Sequence, residues 1–260
     1  MRLLLQRLLV TLFLIEAGCT SSLHASAAGA PGESAVTDDA GPNDPAEATN
    51  RKIFGINMAI DHNVTKPVAT AYKADVPVEL RHGVHNFATN LGEPKVLIND
   101  LLQGNFKRAL NTTGRFVLNS TVGLAGLFDA AVTIGMPHHD ADFGQTLGVW
   151  GVKPGPSVQL PLFGSSNVRD SAGSVFDLVA NPLVAIPATP MVAIAAAGAG
   201  GGGVDARASV LDASNDLEKH SLDYYATLRS VSAQHREAVV AEGRAGLVDT
   251  STAPSLPAGD

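Results

Sequence analysis

Val78-Glu-Leu-Arg-His-Gly-Val84-His-Asn-Phe87-Ala88-Thr-Asn-Leu91-Gly-Glu93-Pro94-Lys-Val96-Leu97-Ile-Asn-Asp-Leu101-Leu102-Gln-Gly104 decides the fold of this chain. Val84, Phe87, Ala88 and Leu91 recur at three and four residues, the spacing that gathers apolar side chains on one side of a helix. Glu93-Pro94 predicts a stop and a restart, because proline lacks the N–H that an interior turn needs. Val96, Leu97, Leu101 and Leu102 then form a second apolar face, which Gly104 ends. Phe106, Ala109 and Leu110, followed by Phe116 and Leu118, carry the pattern into another helix.

Upstream, Asn43-Asp44-Pro45 offers N-cap and N1 chemistry for a first helix. Ile53, Phe54, Ile56, Asn57 and Ile60 keep a rough helical spacing there, and Pro67 to Tyr72 reads as a further helical piece ending before Pro77. Downstream, residues 122–135 interleave Leu, Phe and Val with Gly and Ala. Small residues at this spacing predict a closely packed helix, in the core or against lipid, with the core reading ahead. Residues 143–164 are rich in Gly and Pro and predict a loop with at most short extended pieces, of the kind usually functional or pinned by packing. Residues 182–197 are apolar but cut by Pro182, Pro187 and Pro190, too short and broken for a transmembrane helix. Gly198 and Gly200 to Gly203 predict a hinge. Leu217, Ser221, Tyr224, Leu228, Val231, His235 and Ala238 step by three or four, on one long amphipathic helix or two shorter ones. With no internal repeat and no run of alternating strands, the fold class is all-α.

The beginning of the chain carries an export pattern. Arg2 and Arg7 precede an apolar stretch, Leu8 to Ile15, and Ala17-Gly18 place small residues before Cys19, the only cysteine of the 260 residues. Ile15-Glu16-Ala17-Gly18-Cys19 resembles a lipoprotein box, in which Cys19 is acylated, although Glu16 stands where an aliphatic residue is usual. A second cut, of ordinary secretory type, is offered at Ala25-Ser26-Ala27. Both routes take the protein out of the cytoplasm, and no cysteine remains for an internal disulfide. The boundaries that follow are a signal peptide at 1–18, a Ser/Ala/Gly tether at 19–42, a helical domain at 43–244 and a disordered tail at 245–260.

The net charge is −7, and loss of residues 1–18 removes Arg2, Arg7 and Glu16, making the remainder one unit more acidic. An acidic chain without a basic stripe is a poor fit to nucleic acid or to electrostatic capture by anionic lipid. Charged residues make up 17% of the chain, below the roughly 25% of average soluble domains. Mean hydropathy is +0.13. A body this short of charge is compatible with a surface that faces lipid.

Motif chemistry is sparse. His138-His139-Asp140 with Asp142 contains metal-ligating types, but adjacent residues seldom aim at one ion, and Pro137 predicts an exposed loop. His82 and His85 share one side of a helix and read better as a satisfied pair. The Gly198 to Gly203 run lacks the Gly-Lys-Ser/Thr ending of a phosphate-binding loop, and Gly144, Gly148 and Gly151 do not fit a dinucleotide site, so no cofactor is expected. No Gly-x-Ser-x-Gly elbow is present, and Ser165 and Ser166 lie near Asp170 with no histidine close in sequence. Arg81, Arg115 and Arg169 have the fork geometry for phosphate headgroups; the competing reading, preferred for Arg115 and Arg169, pairs them with Glu79, Asp129 and Asp170.

An ordered set of short motifs resembles the MlaA (VacJ) family of outer-membrane phospholipid-transport lipoproteins. It starts with Asn43-Asp44-Pro45-Ala46-Glu47, Asn50-Arg51, Pro67-Val68-Ala69 and Val76-Pro77 with Arg81. Asn86-Phe87, Asn90-Leu91, Glu93-Pro94, Asn99, Leu102-Gln103-Gly104, Arg115-Phe116, Asn119, Gly123, Gly126 and Asp129 follow. The block continues with Phe143-Gly144-Gln145-Thr146-Leu147-Gly148, Gly151, Gly155-Pro156, Leu160-Pro161, Gly164, Arg169-Asp170 and Gly173, and Arg207 with Leu211-Asp212 lies beyond it. Ser157 stands where the family often has Tyr after Gly-Pro.

The resemblance implies a ring-like arrangement of amphipathic helices in the membrane interface, attached to the periplasmic face of the outer membrane and lipid-anchored at Cys19. Thr20 rather than Asp after the cysteine favours outer-membrane sorting, by resemblance to sorted lipoproteins. It implies removal of mislocalised phospholipid from the outer leaflet beside a trimeric porin and delivery to a periplasmic lipid carrier, without enzymatic chemistry. Phe54, Ile56 and Asn57 match the family's gating segment. Asn86, Phe87, Asn90, Arg115, Asn119, Asp129, Gly144, Gln145, Gly155, Pro156, Arg169 and Asp170 are the motif residues expected to hold the structure. The rival readings are a lipid-binding or structural lipoprotein without a channel, and a membrane-associated hydrolase.

Overall fold

Polar side chains at helical spacing set the architecture. The structure, a computed structural model, describes residues 43–180 and 190–246. Cys19 and its leader, the tether, the Pro182–Pro187 stretch and the tail from residue 247 lie outside the described residues.

Helix α1 (Glu47–Ile60) passes through a π-turn (Asp61–Thr65) into α2 (Lys66–Asp75), with Pro67 in its first turn. Asp44 does not cap α1, whose N-cap is Ala46. Instead its carboxylate accepts from Asn50 Nδ2 at 2.7 Å, from the Tyr225 hydroxyl and from Arg229 Nη1 at 2.6 Å, joining the start of the domain to its last helix.

The expected break at Glu93-Pro94 does not occur: α3 runs unbroken over Val78–Leu102. Pro94 removes one ladder bond. The buried stripe Asn90, Glu93, Val96, Asn99 and Asp100 nevertheless continues across it, so packing on both sides holds the helix through the proline. Gly104, left-handed at φ 71°, turns the chain, and the Asn105 side chain caps α4 (Phe106–Thr121).

Residues 122–135 are not a helix. They fold as tight turns closed by a 3₁₀ turn (Val132–Ile134). The Gly and Ala residues serve turn geometry here, with Gly126 at φ 96°. The Gly/Pro-rich stretch is more ordered than a loop. Asp142 caps a short helix α5 (Phe143–Val149), and β1 (Ser157–Leu160) pairs antiparallel with β2 (Gly164–Asn167) in the register Val158 to Ser166. This hairpin is the only sheet among the described residues of an otherwise helical fold.

After α6 (Val168–Ala180) come α7 (Pro190–Ser209), α8 (Leu211–His220) and α9 (Tyr224–Ala245), so the last helix ends just past the expected domain boundary and is capped by left-handed Gly246. The Gly198–Gly203 run is not a hinge but part of α7. A Cβ on Gly202 would lie 2.7 Å from Ala88 Cβ, and one on Gly201 3.2 Å from Val84 Cγ1, so these glycines let α7 lie close on α3.

The elements close on themselves. α1 packs on β1, β2 on α9, α9 on α5, α5 on α3, α3 on α7 and α7 on α2, which leads back through the π-turn to α1. The one apolar cluster among the described residues is small: Ala69, Ala208 and Leu211 with Tyr72 beside them.

Candidate functional site: a polar interior in an apolar shell

In α4 the usual partition of a water-soluble helix is inverted. Arg108, Thr112, Arg115 and Asn119 step along the buried face, and Arg108 and Arg115 are each 1% exposed. Phe106 and Leu110 on the outer face are each 74% exposed, with Phe116 and Val117 exposed about two turns beyond Leu110. Arginine is almost never fully buried unless paired, and both of these have acidic neighbours.

Arg115 donates from Nε to Glu93 Oε1 at 2.9 Å, from Nη2 to Asp129 Oδ2 at 2.8 Å and from Nη1 to the Met136 carbonyl. Asn119 donates to Asp129 Oδ1 at 3.0 Å and accepts from the Ala131 amide. Burial pushes the Asp129 carboxyl up, but Arg115 and Asn119 outweigh it and hold it below the usual carboxylate range. His138 lies 3.3 Å from both Glu93 Oε1 and Asp140 Oδ1. Burial disfavours its cation, yet the two carboxylates push its pKa up to about 10.

His139 turns the other way, into the protein. Its Nε2 lies 2.9 Å from Asp100 Oδ2, which also accepts from Thr112 Oγ1 at 2.7 Å. Pro137 therefore does not open an exposed loop, and the adjacent histidines serve different carboxylates. Among the described residues no group of three or more His, Cys, Asp or Glu is placed to hold a metal ion. Thr112, His139 and Asp100 are all buried, so no ester carbonyl reaches that hydroxyl.

A second polar knot joins α5, α6 and α9. Arg236 binds Asp142 and Asp170, and Arg169 Nε donates to Asp170 Oδ1 at 2.7 Å. Burial raises the Asp142 carboxyl, but Arg236 overrides this and lowers it. The knot is possible because two glycines touch: a Cβ on Gly173 would lie 2.3 Å from Gly144 N, and one on Gly144 2.6 Å from Asp170 Oδ1. Gln145, wholly buried, accepts from Gln103 Nε2 at 3.0 Å and donates to the Val239 carbonyl at 2.7 Å. Ser165 gives its hydroxyl to Gln159 and Ser166 gives its own to the Asn167 carbonyl.

The three gating candidates have distinct settings. Asn57 Nδ2 donates to the Leu160 carbonyl at 2.8 Å while its Oδ1 accepts from the Leu162 amide at 2.8 Å. Two turns earlier, Asn50 does the same to the Ser157 carbonyl (3.1 Å) and the Gln159 amide (3.0 Å). Two amide side chains thus imitate a neighbouring strand and fasten the hairpin to α1. Phe54 meets Tyr224 and Tyr225 edge to face at 5.8 and 5.4 Å. Ile56 points outward and is exposed.

The remaining motif residues are brought together as supports. Asn86 and Asn90 donate to the carbonyls of Leu127 and Ala125, and Phe87 is half-buried beside them on α3. Gly155 is left-handed at φ 72°, and the Pro156 carbonyl accepts from the Val168 amide, setting the entry to α6. Sequence reasoning did not single out Asp100, Arg108 or Arg236, and named Asn50 only as part of a family motif. The signal for Arg108 was present as the step 108, 112, 115, 119 of polar residues, opposite the apolar face that drew attention.

Among the described residues no helix is long and apolar enough to cross a membrane.

The profile of the MlaA lipoprotein family matches residues 42–239. The chain is 35% identical over 225 residues to the intermembrane phospholipid transport system lipoprotein MlaA of Escherichia coli (strain K12), covering 81% of this chain and 83% of that one. It is 32% identical over 206 residues to the protein of the same name from Haemophilus influenzae, covering 78% and 81%. An uncharacterized protein of Rickettsia bellii is 37% identical over 199 residues, covering 76% of each. A solved structure described as the structural basis for maintenance of bacterial outer membrane lipid asymmetry superposes with a TM-score of 0.64 at 32% identity, over 76% of this chain and 99% of that one. Matched by the family profile over most of its length and by relatives above 30% identity that it covers by more than two thirds, this chain belongs to the MlaA lipoprotein family.

Proposed function

We propose that this protein transports phospholipid between membranes, removing mislocalised phospholipid from the outer leaflet of the outer membrane and passing it to a periplasmic carrier. One observation carries the reading: ionic and amide side chains are buried between elements that close on themselves, while many large apolar side chains are exposed. That partition suits a body whose solvent is lipid.

The physical problem is the headgroup. Moving its charge through hydrocarbon is costly unless polar groups replace its water. A ring with a polar interior lowers that cost while the acyl chains stay in apolar surroundings, and no covalent step is needed. In this reading Cys19 is acylated and supplies the address, the apolar belt supplies the grip, and a trimeric porin supplies the site of residence. α1 and the hairpin form the gate, with Asn57 as the fastening and Ile56 as the surface that senses its surroundings.

The test is Ile56→Asp in cells, scored by outer-leaflet phospholipid and by resistance to detergent. The expected outcome is altered outer-leaflet phospholipid with reduced detergent resistance. An unchanged phenotype from a variant present at normal level removes the gating role from α1. Lipid handed over with release of free fatty acid would instead support the hydrolase reading.

A further inference from the structure

Residues 122–136 are a turn-rich stretch with a mostly apolar surface and a backbone bonded largely within the protein. Leu124 and Phe128 are each 62% exposed, and Val122, Leu127 and Ile134 are exposed with them. The stretch holds one charged residue, Asp129, and both of its carboxylate oxygens are engaged by Arg115 and Asn119.

Most of the backbone amides of the stretch are bonded within the protein, those of Leu124, Asp129 and Thr133 being the exceptions. The amides of Gly123, Gly126 and Phe128 donate to the carbonyls of Leu118, Asn119 and Gly123 at 3.0, 2.7 and 2.9 Å. Those of Ala131 and Val132 donate to Asn119 Oδ1 and Asp129 Oδ1. Those of Ile134, Gly135 and Met136 return to Ala131 and Val132. From α3, Asn86 and Asn90 reach the outer carbonyls of Leu127 and Ala125.

This conformation is not a cheap one. Leu124 at φ 51° and Ala125 at φ 60° are consecutive non-glycine residues in the left-handed region. Such strain persists where the surroundings enforce it, and it is concentrated at functional positions. A loop facing water gains little from bonding its amides internally or shedding charge. Irregular backbone facing hydrocarbon gains from both.

We infer that residues 122–136 form a rigid wedge inserted among the acyl chains of the bilayer, with Leu124, Leu127 and Phe128 as its apolar tip. The wedge continues the exposed apolar face of α4, from which it emerges. The inference rests on the membrane residence proposed above and adds which non-helical element penetrates. Asn86, Asn90 and Asn119 act as positioning residues that brace the wedge from within.

The test uses the full chain with its single tryptophan moved. Phe128→Trp in a Trp150→Phe background is compared with Leu222→Trp in the same background, Leu222 being 108% exposed beside Asp223 in the α8–α9 connection. Vesicles of phosphatidylethanolamine and phosphatidylglycerol carry a phospholipid with a nitroxide deep in its acyl chain, and iodide is the aqueous quencher. The expected result is several-fold stronger nitroxide quenching at position 128 than at 222, with iodide quenching in the opposite order. Leu127→Trp gives an independent second position. Flotation with the vesicles together with iodide quenching at 128, or equal nitroxide quenching at both positions, overturns the wedge alone. Failure to float with the vesicles overturns the membrane residence beneath it.

Discussion

Arg236 on α9 grips Asp142, the N-cap of α5, with both ends of its guanidinium: Nη1 to Oδ2 at 2.7 Å and Nη2 to Oδ1 at 2.9 Å. Its Nε reaches Asp170 Oδ2 at 2.9 Å, so one side chain ties three helices. Arg236→Leu leaves two carboxylates facing each other in a partly closed site. The expected loss is about 3 kcal/mol, the low end for breaking a buried pair, read as a shift in the denaturation midpoint in detergent micelles. Arg236→Lys keeps the charge but not the fork, and recovers only part of the loss.

The Gly144–Gly173 contact predicts a steep size limit. Gly173→Ala puts a methyl 2.3 Å from a backbone nitrogen, which cannot swing aside as a side chain can. The cost is expected at about 3 kcal/mol or more. Gly92→Ala in α3 is the matched control: nothing lies within 4 Å of its Cβ. It should be neutral or stabilising by up to about 1 kcal/mol, the ordinary helix preference for alanine. Circular dichroism melts of the two variants give the comparison.

Stability should fall on the alkaline side through His138. Its folded pKa, about 10, lies above the ordinary 6.5. Below pH 6.5 both folded and unfolded chains hold the proton and the contribution is complete. As pH rises from there toward 10 the unfolded chain gives it up first, and the contribution drains away. Asp142 acts in the opposite direction: its lowered pKa stabilises above 3.8 and is lost as pH falls beneath it. Replacing His138 by Gln should flatten the alkaline decline and leave the acid limb in place, measured by denaturant midpoints across pH.

The asparagine fastening of the hairpin predicts a graded series. Asn57→Ala removes both bonds to the turn, worth about 1 kcal/mol each, and should speed hydrogen exchange at the Leu162 amide. Asn57→Asp keeps the acceptor for that amide and loses the donor to the Leu160 carbonyl, so its exchange should fall between wild type and Asn57→Ala. Equal exchange in all three would remove Asn57 from hairpin control.

The all-α class was legible because apolar spacing survives wherever a helix has two different faces. The direction of those faces was not. Phe106, Leu110 and Phe116 gave an apolar pattern without a direction, because period alone does not say which side meets solvent, and in α4 the arginines occupy the inside. The apolar composition of 122–135 likewise suggested a helix, whereas the turns there are fixed by Asn90 and Asn119, which lie outside the stretch, and by Asp129, the one charged residue within it. Pro94 and the Gly198–Gly203 run are locally helix-breaking, yet both sit within helices that neighbouring elements hold in place. The Arg115–Asp129 and Arg169–Asp170 pairs were readable, since motif position and charge agreed. The contributions of Arg236 and Asn50 were not, because their partners lie 94 and 107 residues away in the chain.

The clasp at Asp44 has a mechanical consequence. Tension arriving at Asn43 from the residues before it meets two anchors: the Ser157 amide, which donates to the Asn43 carbonyl at 2.7 Å, and the Asp44 carboxylate, which Asn50, Tyr225 and Arg229 hold together. These bonds must part in concert before α1 can begin to unwind. The pull therefore reaches the first strand of the hairpin and the last helix together, so a leash on this protein loads the element proposed as its gate directly.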